Sequence, residues 1–214
     1  MLNNFKKFDY YIEKEIFNLI LNDPPNNAMN SQFFRELKYI NENIIEQKKI
    51  IGIIIYGKGR HFSAGADIDE LLSDIKGETE FEQNEIKKYP DFLFENNRTF
   101  LFFKKLDIPI IAAIQGVCIG SALEFALFCD YRICTNNALF GLPESTYNLF
   151  PGCGGITNLY NIVGFHKALD IILTGKSLNA QEALELKIIH KIVDKKNLIK
   201  TATEKIFEIN DKIY

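Results

Sequence analysis

The stretch IPIIAAIQGVCIGSALEFALF, residues 108 to 128, carries the pattern that decides the fold of this 214-residue chain. Residues 108 to 114 are apolar, rich in isoleucine and uncharged, which predicts a strand buried on both faces. Small residues break it at QGVCIGS, and residues 122 to 128 then read as a helix that is apolar nearly all round, hence buried. The same order occurs upstream. IIGIIIY (50 to 56) predicts a buried parallel strand, and RHFSAGADIDEL (60 to 71) follows it with side chains too small to fill a core. Strands that alternate with helices in this way imply an α/β fold.

The remaining chain fits that alternation. EIFNLIL (15 to 21) reads as a strand, NDPPNNAMN (22 to 30) as a turn-rich loop, and about Ser31 to Gln47 as an amphipathic helix. Residues 74 to 90 are charged and polar and predict a mobile excursion, after which 91 to 106 return to helical spacing. YRICT and ALFGL read as short strands, ESTYNLF as a short helix and PGCGG as a tight loop. Helices are expected over 156 to 163, 165 to 173 and 179 to 186, with KIIHKIV a strand and a terminal helix after it. No linker composition interrupts the chain, so one domain is expected over 1 to 214.

Composition excludes several classes. The chain is 47% apolar and 25% charged with a formal net charge of -3, which offers no general attraction to nucleic acid or an anionic membrane. Its apolar runs fall short of the roughly 18 residues of a membrane helix, and the start lacks the continuous apolar core of a targeting peptide; a cytoplasmic location is expected. Cys118, Cys129, Cys134 and Cys153 show no C-x-x-C spacing and no histidine cluster, so free thiols and no metal site are expected. His61, His166 and His190 are scattered, which gives a histidine-based triad little to build on.

Both small-residue turns precede helices. Glycine there permits positive φ and close approach, and the first amides of the following helix lack intrahelical partners, so each turn can offer donors to an anion or a polarised carbonyl. Glu124 is the sole charged residue from Ile108 to Cys129. An ionised carboxylate is costly to bury, so a tolerated one has a task or a firm hydrogen-bond network. SALE also fits a capping box, in which Glu124 would bond the Ser121 amide. Glu144 is the only formally charged residue from Ile133 to His166, histidine aside, and follows Pro143, where a helix start favours a carboxylate in any case. Together the two glutamates make a pair able to divide acid and base work beside amides able to hold an oxyanion.

HFSAGADIDEL (61 to 71), IAAIQGVCIGSALEFALFCDYRI (111 to 133) and ALFGLPESTYNLFPGCGGITNLYNIVG (138 to 164) together resemble the enoyl-CoA hydratase/isomerase, or crotonase, superfamily. Weaker likeness at LNDPPNNAMN and ALDIILTGKSLNAQEALELKIIHKIV extends the match over most of the chain. The resemblance implies a right-handed spiral of ββα units with flanking C-terminal helices, acting on acyl thioesters. It implies that the Ala66 and Ser121 amides receive the thioester carbonyl, and that Ala28, Ala64, Gly65, Ala66, Asp67 and Ile68 contact coenzyme A. The family often shows three glycines where this chain reads Gly-Ser-Ala at 120 to 122. Glu124 and Glu144 match the two glutamates of hydratases, and Gly152 matches a residue whose N–H helps hold the reacting water.

The reaction so implied is reversible syn addition of water to a 2,3-enoyl thioester, with transfer of a proton to the α-carbon assigned to Glu144. Coenzyme A enters as part of the substrate, and neither metal nor redox cofactor is expected. The alternatives are a dehydratase/hydratase or isomerase of the same superfamily acting on carrier-protein-bound acyl groups, and a non-catalytic thioester- or partner-binding member. A homo-oligomer, a trimer or dimer of trimers, is also implied. In most relatives the chain runs on past the equivalent of 191 to 207 into helices that cover the site, so a shortened C-terminal segment from about 195 is expected, with the terminal helix, another chain or nothing in their place. Lys58, Arg60 and His61 flank the first turn as phosphate contacts or solvated surface. Phe92, Phe94 and Phe100 are candidates for an acyl pocket or for plain core.

Overall fold

The computed structural model of the protein describes residues 5–82, 85–88 and 90–213. A hairpin opens it, β1 (Phe8–Glu13) paired antiparallel with β2 (Ile16–Leu21). The sequence reading places only the second of these strands, because β1 buries Phe8 alone and shows no apolar alternation. Next comes α1 (Ser31–Ile40), whose N-terminus is capped by Asn30 Oδ1 accepting the Phe33 N–H at 3.1 Å. The helix expected to about residue 47 continues as a π-helical turn over Asn41–Ile45.

β3 (Gly52–Gly57) leads through the first small-residue turn to α2 (Ile68–Glu78). The antiparallel pair β4 (Glu80–Glu82) and β5 (Glu85–Lys88) follows, and then α3 (Asp91–Leu101) with a 3-10 turn over Phe102–Lys105. Where it is described, the excursion expected at 74 to 90 forms the end of α2 and the β4–β5 hairpin; residues 83, 84 and 89 lie outside the described residues. Onward run β6 (Ile110–Ile114), β7 (Val117–Ile119), α4 (Ser121–Leu127), β8 (Tyr131–Thr135), β9 (Leu139–Gly141) and a 3-10 turn over Pro143–Tyr147. The chain then forms α5 (Gly155–Val163), α6 (Phe165–Thr174), β10 (Leu178–Asn179), α7 (Ala180–Glu185), β11 (Lys191–Val193) and α8 (Leu198–Ile213). Only the last three residues of KIIHKIV are strand; Ile188 and Ile189 are buried without joining the ladder.

Six strands form the large sheet in the order β1-β2-β3-β6-β8-β11, parallel from β2 onward. A small sheet runs β10-β9-β7, and an isolated bridge joins Ser63 to Cys118 of β7. One path is thus walked three times: a strand in the large sheet, a short extended piece at the small sheet, then a helical segment. β3, Ser63 and α2 make the first lap, β6, β7 and α4 the second, β8, β9 and the 143–147 turn the third. This is the expected spiral of ββα units.

The strands alternate between two cores, as buried strands must. Ile53, Ile55, Ile110, Ala112 and Ile114 face Phe33, Phe100 and Phe125 in the larger cluster. Ile54, Ile111, Ala113 and Ile133 face the other way, against Leu198, Ala202 and Ile206 of α8. Gly52 sits where α8 crosses, since a Cβ there would fall 2.7 Å from Ile206. The terminal helix therefore covers the far face of the sheet.

Candidate active site

The first turn is built backbone on backbone. Asn27, buried and with φ of 49°, donates its side-chain amide to the carbonyls of Lys58, His61 and Phe62, each at 3.0 Å. Ser63 Oγ donates to Asn27 O at 2.8 Å and accepts the Gly65 N–H at 3.0 Å, while the Ala64 N–H donates to Asn26 O at 2.9 Å. Those bonds consume the amides of Ala64 and Gly65. Among the described residues the Ala66 N–H meets no protein acceptor.

Gly65 brings the two turns together. Its φ is 88°, and a Cβ there would lie 2.5 Å from Ile119 O and 3.5 Å from Ser121 N, so only glycine fits. In the second turn Gly120, with φ of 57°, donates to Gly141 O at 2.9 Å and releases the chain into α4. The Ser121 N–H, first in that helix, likewise meets no protein acceptor among the described residues.

Glu124 is 1% exposed. Its Oε1 accepts the N–H of Cys153 and of Gly155, both at 2.8 Å. The capping alternative is thereby decided: the carboxylate reaches across to the 151–155 loop, and α4 has no side-chain cap. A Cβ on Gly155 would fall 2.7 Å from Glu124 Cγ, which explains why a glycine stands there. Glu144 opens the third helical segment one residue after Pro143. Its Oε2 is buried with no hydrogen-bond partner, and its Oε1 lies 3.5 Å from where a Cβ on Gly120 would stand. Burial, then the neighbouring Glu144 charge, push Glu124 up to about 8 against the pull of its two amide donors. Burial pushes Glu144 up to about 7, with its own backbone amide opposing.

These groups share one cavity of about 1110 Å³. Ala66, Asp67, Ser121, Glu124, Glu144 and Gly152 stand on its wall. Ala28, Ala64, Gly65 and Ile68, expected from the resemblance to contact coenzyme A, are not on that wall. Of the three phenylalanines, Phe92 lines the cavity, Phe100 is core and Phe94 is exposed. Lys58, Arg60 and His61 lie off the cavity wall; His61 Nδ1 accepts the Val117 N–H at 3.1 Å and so ties the two turns together. The roles of the Asn27 side chain and of the Cys153 amide escaped the sequence reading, because nothing local in either residue's surroundings reveals the distant group it meets. All four cysteines are free and buried, and among the described residues no three His, Cys, Asp or Glu side chains gather to hold a metal ion.

A buried carboxyl, a half-buried one and two amides without a protein acceptor among the described residues thus line one cavity on a ββα spiral. The sequence profile of the enoyl-CoA hydratase/isomerase family matches residues 11–214, and the chain belongs to that family. It is 35% identical over 181 residues to a short-chain-enoyl-CoA hydratase of Clostridium acetobutylicum, covering 83% of this chain and 65% of that one. It is 38% identical over 188 residues to the fatty acid oxidation complex subunit alpha of Shewanella loihica, covering 85% of this chain and 25% of that one. The chain thus spans less than two thirds of either relative. A Thermobifida fusca YX protein assigned as an enoyl-CoA hydratase and solved in complex with CoA superposes with a TM-score of 0.81 at 25% identity, over 96% of this chain and 79% of that one. Among the described residues no helix is long and apolar enough to cross a membrane.

Proposed function

We propose that the protein hydrates 2,3-enoyl thioesters, with acyl-CoA as the substrate. The observation that carries this reading is the cavity wall itself, which Glu124 and Glu144 share with Ala66 and Ser121, whose amides meet no protein acceptor among the described residues. A member that only bound thioesters would gain nothing from two carboxyls that are costly to bury.

The two amides receive the C1 carbonyl oxygen, and each contributes about 3 kcal/mol as negative charge develops there. Polarisation makes the β-carbon electrophilic. A water oriented by the carboxyl pair and by the Gly152 N–H forms the new C–O bond there, while the π electrons move toward the C1 oxygen. One proton leaves the water for the ionised partner of the pair, and one reaches the α-carbon from the protonated partner. The pair keeps a single proton throughout, so its two titrations belong to the dyad. Glu144 is the donor to the α-carbon, because its Oε2 has no protein partner and its carboxyl lies beside the Gly120 turn that presents the Ser121 amide. Glu124 then takes the ionised role, which its two amide donors favour and its burial opposes.

Hydration in deuterated water tests the reaction type. The expected product is a 3-hydroxyacyl thioester with one deuteron at the α-carbon on the face that gained the hydroxyl. A shifted double bond, or release of the free thiol, would assign the site to isomerisation or hydrolysis instead. A homo-oligomer belongs to the same reading. Its support is a stripe of exposed large apolar side chains, Ile156 and Tyr160 on α5 with Phe165, Leu169 and Leu173 on α6.

A further inference from the structure

The two small-residue turns run side by side before they meet, and their pairing departs from an ordinary ladder. The Phe62 N–H donates to Gln115 O at 2.7 Å and the Ser63 N–H to Val117 O at 3.1 Å. One step along the first segment thus matches two along the second, which makes a bulge, with Gly116 as the extra residue at φ of 58°. A regular parallel ladder containing the second of these bonds would also take the Val117 N–H to the carbonyl of residue 61. That carbonyl is engaged elsewhere, by the Asn27 side-chain amide at 3.0 Å. The Val117 N–H goes instead to the imidazole of the same residue, where Nδ1 accepts it at 3.1 Å. A Cβ on Gly116 would fall 2.6 Å from that Nδ1 and 2.4 Å from Arg60 O, so the ring packs directly on the backbone of the second turn.

What lies beyond the bulge gives this bond its consequence. From His61 the chain reaches Ala66 in five residues, and from Val117 it reaches Ser121 in four. In between, the turns touch again at the Ser63–Cys118 bridge and where Gly65 faces Ile119 O. Residues of extended chain are spaced about 3.3 Å apart, whereas a good hydrogen bond tolerates only about a few tenths of an ångström. A slip at the bulge would therefore carry the Ser121 amide out of reach of an oxygen bound to the Ala66 amide. Gln115 adds a side-chain tie upstream, its Nε2 donating to Gly59 O at 2.6 Å, but His61 is the side chain that closes the bulge itself.

We propose that His61 is a positioning residue for the thioester carbonyl: its Nδ1 holds Val117, and through it the Ser121 amide, in register with the Ala66 amide. The assignment rests on the thioester reading given above. An amide N–H can only donate, so the task requires an acceptor, and Nδ1 serves because it carries no proton there. His61 is off the cavity wall, so it acts through the backbone and never touches substrate.

The test uses butyryl-CoA isotopically labelled at its carbonyl carbon, a saturated probe that cannot be hydrated, bound to the full chain, to His61→Ala and to His61→Asn. Asparagine can place an acceptor oxygen where Nδ1 stands; alanine has none. The readout is the infrared stretch of the labelled carbonyl, which falls in frequency as donors polarise it and which a loss of stability alone does not move. Wild type and His61→Asn are expected to lower it alike. His61→Ala is expected to lose about half of that shift or more, with kcat on crotonyl-CoA down roughly tenfold or more. His61 is outside both core clusters, so the variants fold. An unchanged stretch in His61→Ala would overturn the assignment, and so would an equal loss in both variants, since the acceptor would then not be what matters. If the wild type and His61→Asn shift the carbonyl and His61→Ala does not, yet no enoyl-CoA is hydrated, the positioning role stands and the hydratase reading falls. If crotonyl-CoA is hydrated and His61→Ala keeps both shift and rate, the reverse holds.

Discussion

Glu124 has a folded-state value of about 8, well above the ordinary glutamate value, and burial is the main cause. The sign of the consequence follows from proton counting. Between the ordinary value and about 8 the folded chain holds a proton that the unfolded chain has lost, so stability declines as pH rises through that window. Glu124→Gln keeps an oxygen for the Cys153 and Gly155 amides and has nothing to ionise. Denaturant unfolding at about pH 6 and about pH 9, on either side of the shifted value, is therefore expected to show a smaller loss of stability in the variant, which becomes the more stable protein at the higher pH. An identical pH dependence in both proteins would mean that Glu124 ionises without penalty. The two glutamates were legible as residues because each stands alone in a long uncharged run. Their partners were not, since the amides that grip Glu124 lie 29 and 31 positions away. Asn27 was hidden for the same reason: its bonds are made to backbone more than thirty residues downstream.

At the scale of elements, the strands and helices of the central laps were readable because burial on both strand faces leaves uninterrupted apolar runs, as in β3 and β6. β1 was not, because an edge strand with Tyr10, Tyr11 and Ile12 exposed has no such run. The end of α2 was read as excursion because a helix that buries nothing leaves no apolar period to detect. The strand-to-helix turns were recognisable by their glycines and alanines, and their contact depends on Gly65. Gly65→Ala adds a Cβ at φ of 88° and within 2.5 Å of Ile119 O, so the turns must separate. Hydration by the variant is expected to drop by more than tenfold in kcat/KM. Retention of full activity would show that the Ala66 and Ser121 amides need not converge on one oxygen.

Across the whole molecule, the carboxyl pair and the C-terminal helix occupy opposite sides of the large sheet. α8 packs through Leu198, Ala202 and Ile206 on the face away from the larger core, so the cavity receives no cover from it. The exposed stripe on α5 and α6 then predicts self-association, and gel filtration at micromolar concentration is expected to give an oligomer; a monomer would remove that part of the account. The central claim is narrower and more easily tested. Purified protein mixed with crotonyl-CoA should lower the absorbance of the conjugated enoyl thioester to its equilibrium level, and Glu144→Gln should do so slower by about 10²- to 10⁴-fold, the usual contribution of a positioned acid or base, with thioester affinity little changed. Equal rates in the two proteins would remove Glu144 from the chemistry, and no loss of absorbance with the wild type would contradict hydration itself.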